Sequence, residues 1–239
     1  MSRGTMPAAG EVQIRFASLD LEAGELARLR RFLSTDELAR ADRLINQQHR
    51  DRFVAGRGFL RETLADYLGL EPEMLRFNEG EHGKPSLAEE TGGSCSRRFN
   101  LSHKGGRAVL AVSGSCEVGI DLEQMLDNLP FREMAQRFFA PRETEELFSL
   151  PPHLQLSAFY RFWTRKEAYL KGLGTGFSRP ADSFAVSLLP DQPLSVVDYQ
   201  ATADTPSRWT IADIPVPEGF CAALATEGAA PVITTSPWN

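Results

Sequence analysis

Two carboxylates stand two residues apart in Gly119-Ile120-Asp121-Leu122-Glu123, and a third acid follows in Trp163-Thr164-Arg165-Lys166-Glu167. The first segment reads as a strand, and strand side chains alternate between faces. Asp121 and Glu123 then point one way while Ile120 and Leu122 point into a core. Two converging carboxylates repel and raise each other's pKa unless a cation lies between them. Hard oxygen ligands in small number suit Mg²⁺, which keeps several waters and takes its remaining ligands from substrate phosphates. The same spacing also fits an exposed strand edge with two solvated acids.

The later segment adds to the chemistry. On a helix, Trp163, Glu167 and Lys171 fall at i, i+4 and i+8 and share one stripe. The aromatic run Phe159-Tyr160-Arg161-Phe162-Trp163 calls for burial, which holds Glu167 and Lys171 at the core edge. Ionic groups are costly there unless they bind something. A third carboxylate for a metal, beside a lysine for phosphate, meets that need; core packing with a surface ion pair is the other reading. Gly172, Gly174 and Gly176 break the helix, at a spacing that matches neither the P-loop nor the dinucleotide pattern. Upstream, Ser102-His103 reads as a loop before a strand, with Lys104 and Arg107 close by. Lys84 sits in Gly80-Glu-His-Gly-Lys-Pro85, a loop by composition. Together these residues form a candidate phosphate-binding rim. A Ser102/His103 nucleophilic pair is disfavoured, because adjacent residues rarely present their side chains to each other and no G-x-S-x-G pattern exists.

The elements that must position these groups are legible in outline. Glu11 to Leu19 alternates as a half-buried strand, and Glu22 to Phe32 reads as a helix. Ser34 with Glu37 three residues on is a capping-box start for a helix carrying Leu38, Ala41, Leu44 and Ile45. A helix from about Gln48 to Leu68 turns Phe53, Leu60, Leu64 and Leu68 inward and ends at Gly69. Strands are expected over Arg107 to Ser113 and Glu117 to Leu122, with helices over Phe131 to Phe139, from Pro141, and over Gln155 to Gly172. Phe184-Ala-Val-Ser-Leu and Phe220-Cys-Ala-Ala-Leu-Ala supply two more strands.

The halves look alike. Phe32-Leu-Ser-Thr-Asp-Glu37 resembles Phe139-Ala-Pro-Arg-Glu143, and each half has a long helix ending in Tyr-Leu and Gly. This points to an internal duplication with a period of roughly 105 residues, too long for a solenoid. The expected fold is α+β, two similar pseudo-twofold-related subdomains with a site in the cleft between them. The boundaries read as a polar tail over 1–10, a first subdomain over 11–115, a second over 116–228 and a tail over 229–239.

Bulk composition limits the partners. Hydrophobic residues make up 42% of the 239, enough for a packed core, and the net charge of −6 argues against a general nucleic-acid binder. The cysteines, Cys95, Cys116 and Cys221, are widely spaced and odd in number, so free thiols in a reducing compartment are expected rather than zinc or disulfides. No apolar leader and no run long enough to span a membrane are present, so a cytoplasmic location is expected.

Four segments in order carry a resemblance: Gly83-Lys84-Pro85, Phe99-Asn100-Leu101-Ser102-His103, Val118-Gly119-Ile120-Asp121-Leu122-Glu123 and Phe162 to Lys171. Their sequence resembles the ordered signature of the Sfp-type 4′-phosphopantetheinyl transferases, over roughly Phe32 to Leu188. The resemblance implies transfer of the phosphopantetheine arm of coenzyme A to a serine of an acyl, peptidyl or aryl carrier protein, with adenosine 3′,5′-bisphosphate as the other product. It implies Mg²⁺ held by Asp121, Glu123 and Glu167, with Glu167 or a metal-bound water as base and Lys171 on the phosphate that takes the leaving charge. It further implies that Lys84, flanked by Gly83 and Pro85, joins Ser102, His103, Arg52 and Arg40 in contacting coenzyme A. Trp163 and Lys166 would shape the site, Lys166 through ion pairing. A monomer is expected by the same likeness. Carrier proteins are acidic around their serine, so the segment 125–137, with Met125, Leu126, Arg132, Met134 and Arg137, is the expected contact. Two rivals use the same residues: a magnesium-dependent hydrolase of coenzyme A or another pyrophosphate, and a non-catalytic binding module.

Overall fold

The computed structural model describes residues 5–80, 82–89, 98–187, 196–198 and 209–236. Cys95, Glu81 and the outermost residues of both tails lie outside them. The first half runs β1 (Glu11–Ser18), α1 (Ala23–Arg30), α2 (Thr35–Asp42), α3 (Gln47–Leu68), the short hairpin β2 (Phe77–Glu79) and β3 (Pro85–Leu87), then β4 (Arg98–Lys104) and β5 (Arg107–Ser113). The second half repeats this path: β6 (Val118–Gln124), α4 (Phe131–Phe138), α5 (Pro141–Ser149), α6 (Pro152–Leu173), a two-stranded β7 (Phe184–Val186) and β8 (Val196–Asp198), then β9 (Trp209–Asp213) and β10 (Phe220–Glu227). In each half the first strand pairs antiparallel with the last, which pairs antiparallel with the one before it. The duplication expected from the sequence is therefore a duplication of topology.

Strand alternation sorts the apolar residues into layers. On β5, Val109 and Ala111 face the second sheet, whereas Leu110 and Val112 face α3. On β10, Ala222 and Leu224 face the first sheet, whereas Ala223 and Ala225 face α6. The result is four layers: helix, sheet, sheet, helix.

The halves also repeat one buried ion pair. Glu37, in the first turn of α2, closes a capping box with Ser34 and accepts from Arg61 of α3 at 2.7 Å. Glu143, at the same place in α5, accepts from the Ala140 N–H at 2.8 Å and from Lys166 of α6 at 2.7 Å. Each base reaches one step further to a backbone carbonyl beyond its helix, Arg61 to Leu75 and Lys166 to Phe184. Burial pushes the Glu143 carboxyl up and the Lys166 ammonium down, and the bonds between them oppose that drift.

Three expectations need correction. The helix opened by Ser34 stops at Asp42, so Ile45 is not on its buried face but 96% exposed in the turn before α3. Ser102 and His103 lie within strand β4 rather than in a loop before it. The tail after residue 229 is not wholly separate: β11 (Val232–Thr235) returns to the first half and pairs parallel with β1. A tail strand finds a place there because β1 offers an open edge of N–H and C=O groups.

Glu143→Ala would leave the Lys166 ammonium buried without its partner, and breaking such a pair costs about 3–5 kcal/mol. A fall of that size in the urea denaturation of the variant, with a milder loss for Glu143→Gln, is the expected outcome.

Candidate active site

β6 is where the two halves meet. Its even residues Val118, Ile120 and Leu122 sit in the core between the sheets. Its odd residues face α6, and the first of them is glycine for a steric reason. A Cβ on Gly119 would stand 2.0 Å from the Ala168 carbonyl oxygen and 2.2 Å from the Gly172 nitrogen. Helix α6 thus lies backbone to backbone on β6, and a Cβ on Gly172 would in turn strike the Trp209 ring at 2.4 Å. This approach brings Glu167 and Lys171 to the side of β6 that carries Asp121 and Glu123.

On the other side, β6 shows no ladder to β4. Two side chains replace one: the Ile120 N–H donates to Asn100 Oδ1 at 2.9 Å, and the Leu122 N–H to Ser102 Oγ at 3.2 Å. Asn100 and Ser102 are both buried, since β4 presents alternate residues to this seam.

Asp121 is 3% exposed. Its Oδ1 accepts from Lys171 Nζ at 2.6 Å and from the Ser102 hydroxyl at 3.1 Å. Its Oδ2 is buried without a hydrogen-bond partner. Glu123 is half-buried and paired with Lys104 at 2.8 Å; burial, reinforced by Asp121, raises its pKa against the pull of that lysine. Burial, then the charges of Asp121 and Glu123, push the Glu167 carboxyl up to about 7 although Lys171 draws it down. The three acids therefore share one electrostatic environment, and an orphaned oxygen in the middle of it fits a divalent cation. Among the described residues no three His, Cys, Asp or Glu side chains stand in a metal-coordinating arrangement. The cation facing Asp121 is the Lys171 ammonium.

The expected coenzyme A residues divide into two groups. His103 and Arg52 lie toward the β4–β5 turn. Desolvation lowers the His103 pKa although the residue is exposed at the end of β4, and the ammonium groups of Lys171 and Lys104 add to this. Arg52 pairs with Asp20 at 2.6 Å, and the exposed Arg40 lies over the Phe53 ring. Gly83, Lys84 and Pro85 belong to the opposite end. There Lys84 and Pro85 line a crevice of about 450 Å³ between the halves, together with Arg98, Glu117, Gly172 and Trp209. None of the three acids lines it. Gly83 has φ +80°, the left-handed conformation that lets the loop turn.

Lys84 is held by groups of the protein itself. Its ammonium donates to Glu117 Oε2 at 2.8 Å, to the Val118 carbonyl at 3.1 Å and to the Gly172 carbonyl at 2.8 Å. An ammonium has three hydrogens, so Lys84 is fully engaged as a strut from the first half to β6 and the end of α6. Trp163 packs against Phe159 and Phe138 and so holds the stripe that leads to Glu167. Sequence reasoning missed Asn100, Glu117 and the packing role of Gly119. The Asn-x-Ser spacing on a strand flanked by apolar residues was the available signal for the first.

Residues 117–225 match a family described as the 4′-phosphopantetheinyl transferase superfamily, and residues 22–115 match one described as 4′-phosphopantetheinyl transferase, N-terminal. The chain belongs to the 4′-phosphopantetheinyl transferase family. It is 40% identical over 219 residues to the 4′-phosphopantetheinyl transferase HetI of Nostoc sp. strain PCC 7120, covering 91% of this chain and 88% of that protein. It is 34% identical to a putative 4′-phosphopantetheinyl transferase of Synechocystis sp., covering 77% and 72%. To the 4′-phosphopantetheinyl transferase Sfp of Bacillus subtilis strain 168 it is 30% identical, covering 74% and 75%.

Two outcomes follow from this geometry. A raised carboxyl pKa means the folded chain binds a proton that the unfolded chain releases, so stability falls as pH rises from about 4.5 to about 7. Glu167→Gln removes that penalty: its melting temperature should exceed wild type at pH 8, with the gain vanishing near pH 4.5. Lys84→Ala should cost on the order of 2 kcal/mol in denaturant unfolding through its lost charged hydrogen bonds. Unchanged stability with a raised KM for coenzyme A would place Lys84 on the phosphate rim.

Proposed function

We propose that the chain transfers the 4′-phosphopantetheine arm of coenzyme A to a serine hydroxyl of an apo acyl, peptidyl or aryl carrier protein. Adenosine 3′,5′-bisphosphate is released. The observation that carries this reading is the buried, partnerless Oδ2 of Asp121, set among Glu123, Glu167 and Lys171 in a chain of this family. Asp121, Glu123 and Glu167 are the residues to hold Mg²⁺, which supplies charge neutralisation for the pyrophosphate.

The chain's own groups do the rest. A serine hydroxyl is a weak nucleophile until a base within hydrogen-bond reach takes its proton. Glu167 is assigned that task; burial and the charges of Asp121 and Glu123 favour a proton on its carboxyl, and a cation beside them would oppose that. The serine oxygen forms the new bond to the phosphorus bearing the pantetheine arm as that phosphorus loses its bond to the bridging oxygen of the pyrophosphate. The electron pair leaves on the bisphosphate, where the ammonium of Lys171 meets the charge or gives up a proton. Lys171 then exchanges its present partners, Asp121 and Ser102, for a substrate oxygen. His103, Arg52 and Arg40 are assigned to the phosphates, and Arg52 gives up Asp20 for the substrate.

The carrier is assigned to the segment 125–137. Leu126 is 44% exposed, and its N–H is held by the Tyr160 hydroxyl at 2.9 Å. Arg132 and Arg137 are exposed, each lying over a phenylalanine ring of the same helix. Apolar and positive groups together on one strip complement an acidic carrier.

The test is incubation with coenzyme A, Mg²⁺ and an apo carrier protein, read by intact mass. The carrier should gain one phosphopantetheine, and Asp121→Ala should abolish the gain with its fold intact. Loss of coenzyme A without modification of the carrier would mean hydrolysis instead.

A further inference from the structure

We infer that Tyr160 is a positioning residue for carrier recognition: its hydroxyl holds the backbone at Leu126 and so presents the Leu126 side chain to the incoming protein. The inference rests on the carrier reading proposed above.

The pairing of β6 with β10 ends at Gln124, and the chain from Met125 to Pro130 belongs to no helix or strand. Its N–H groups must find other partners or face water. The Met125 N–H donates to the Gly219 carbonyl at 2.8 Å, and the Leu129 N–H to the Leu126 carbonyl at 3.3 Å. The Leu126 N–H donates to the Tyr160 hydroxyl at 2.9 Å. Among the described residues this is the one side-chain hydrogen bond made to the stretch. Tyr160 is itself 3% exposed and its ring meets Phe159 edge to face, so the core of the second half fixes the accepting oxygen.

The side chains divide in keeping with these bonds. Met125 and Leu129 pack against that same core, while Leu126, Asp127 and Asn128 turn outward. Leu126 is thus an apolar side chain held in water by a buried phenol. It lies three residues beyond Glu123, at most roughly 10 Å along the chain. A serine that reaches Glu167 and the acids of β6 therefore brings the protein surface around it onto Leu126. Covering this side chain favours docking, and a stretch already fixed avoids the ordering cost that a free one would meet.

Tyr160→Phe keeps the ring and removes only the oxygen. In the full chain with Mg²⁺, coenzyme A and an apo carrier protein, the KM for the carrier should rise about three- to tenfold, the contribution of one hydrogen bond. The KM for coenzyme A should stay at its wild-type value. Leu126→Ala should also raise the carrier KM, and adding Tyr160→Phe to it should change nothing further, because Tyr160 acts through Leu126. Amide hydrogen exchange at Leu126 should quicken in Tyr160→Phe while that at Met125 does not. Effects that multiply in the double variant overturn the inference, as does a carrier KM that Tyr160→Phe leaves unchanged. KM values for carrier and coenzyme A that rise together also overturn it and make Tyr160 a packing residue only. If Tyr160→Phe does not fold, exchange in the wild-type chain decides: a slow Leu126 amide supports the inference, and one as fast as the Asp127 amide overturns it. A wild-type chain that modifies no acyl, peptidyl or aryl carrier removes the proposed function and this inference together, whereas the other contrary results remove the inference alone.

Discussion

The contact between Gly119 and the turn of α6 at Ala168 and Gly172 governs the site. A strand and a helix normally meet through side chains, with their backbones held well apart. Here two glycines remove that spacer, and a methyl group at residue 119 would overlap both the Ala168 carbonyl and the Gly172 nitrogen. The geometry fixes both the distance and the register of α6 on β6. Register matters because Glu167 and Lys171 are one turn apart on the helix, and Asp121 and Glu123 are one pleat apart on the strand. A shift of a single residue on either element would turn part of this set away. Lys84 secures the same place from the first half, since two of its three bonds end on the Val118 and Gly172 carbonyls. The positioning of the acids thus depends on residues that carry no chemistry of their own.

The duplicated architecture explains how so polar a centre is tolerated. Each half closes its own helical layer with an acid in the first turn of a short helix, held by a base on the long helix. In the first half the residue after that base is Glu62, which pairs with Arg28 near the surface. In the second half the residue after the base is Glu167, which instead faces Asp121 and Glu123. The same scaffold position serves as a surface ion pair in one half and as a candidate catalytic group in the other. Stability rests on the repeated device, which leaves the unrepeated groups free to be strained.

Much of this was legible in the sequence because it depends on local rules. The capping box at Ser34, the stop at Gly69, the alternation around Asp121 and the stripe from Trp163 to Lys171 are all short-range patterns, and each corresponds to the structure. What the sequence hid depends on contacts between distant segments. Lys84 stands in a glycine loop, and only the fold shows that its ammonium reaches Glu117 and the Gly172 carbonyl. Ser102 and His103 look like one motif, yet strand alternation buries the first in the seam and leaves the second exposed. The helix stripe ending at Ile45 failed because the helix stops at Asp42, three residues before it. β11 was missed because parallel pairing with β1, more than 200 residues away, leaves no local trace.

The seam and the acids make a single electrostatic unit. Burying Asp121 is costly, and Lys171 and Ser102 offset that cost at only one of its two oxygens. The other oxygen is left unsatisfied, and the repulsion it feels is passed to Glu167, whose proton is held to about pH 7. A proton on Glu167 and a divalent cation at Asp121 relieve the same excess of negative charge, so each weakens the other. The groups assigned to metal and to base are therefore coupled through Asp121. Lys171 sets the balance between them, because its ammonium can neutralise Asp121 or move to a substrate oxygen but cannot do both at once.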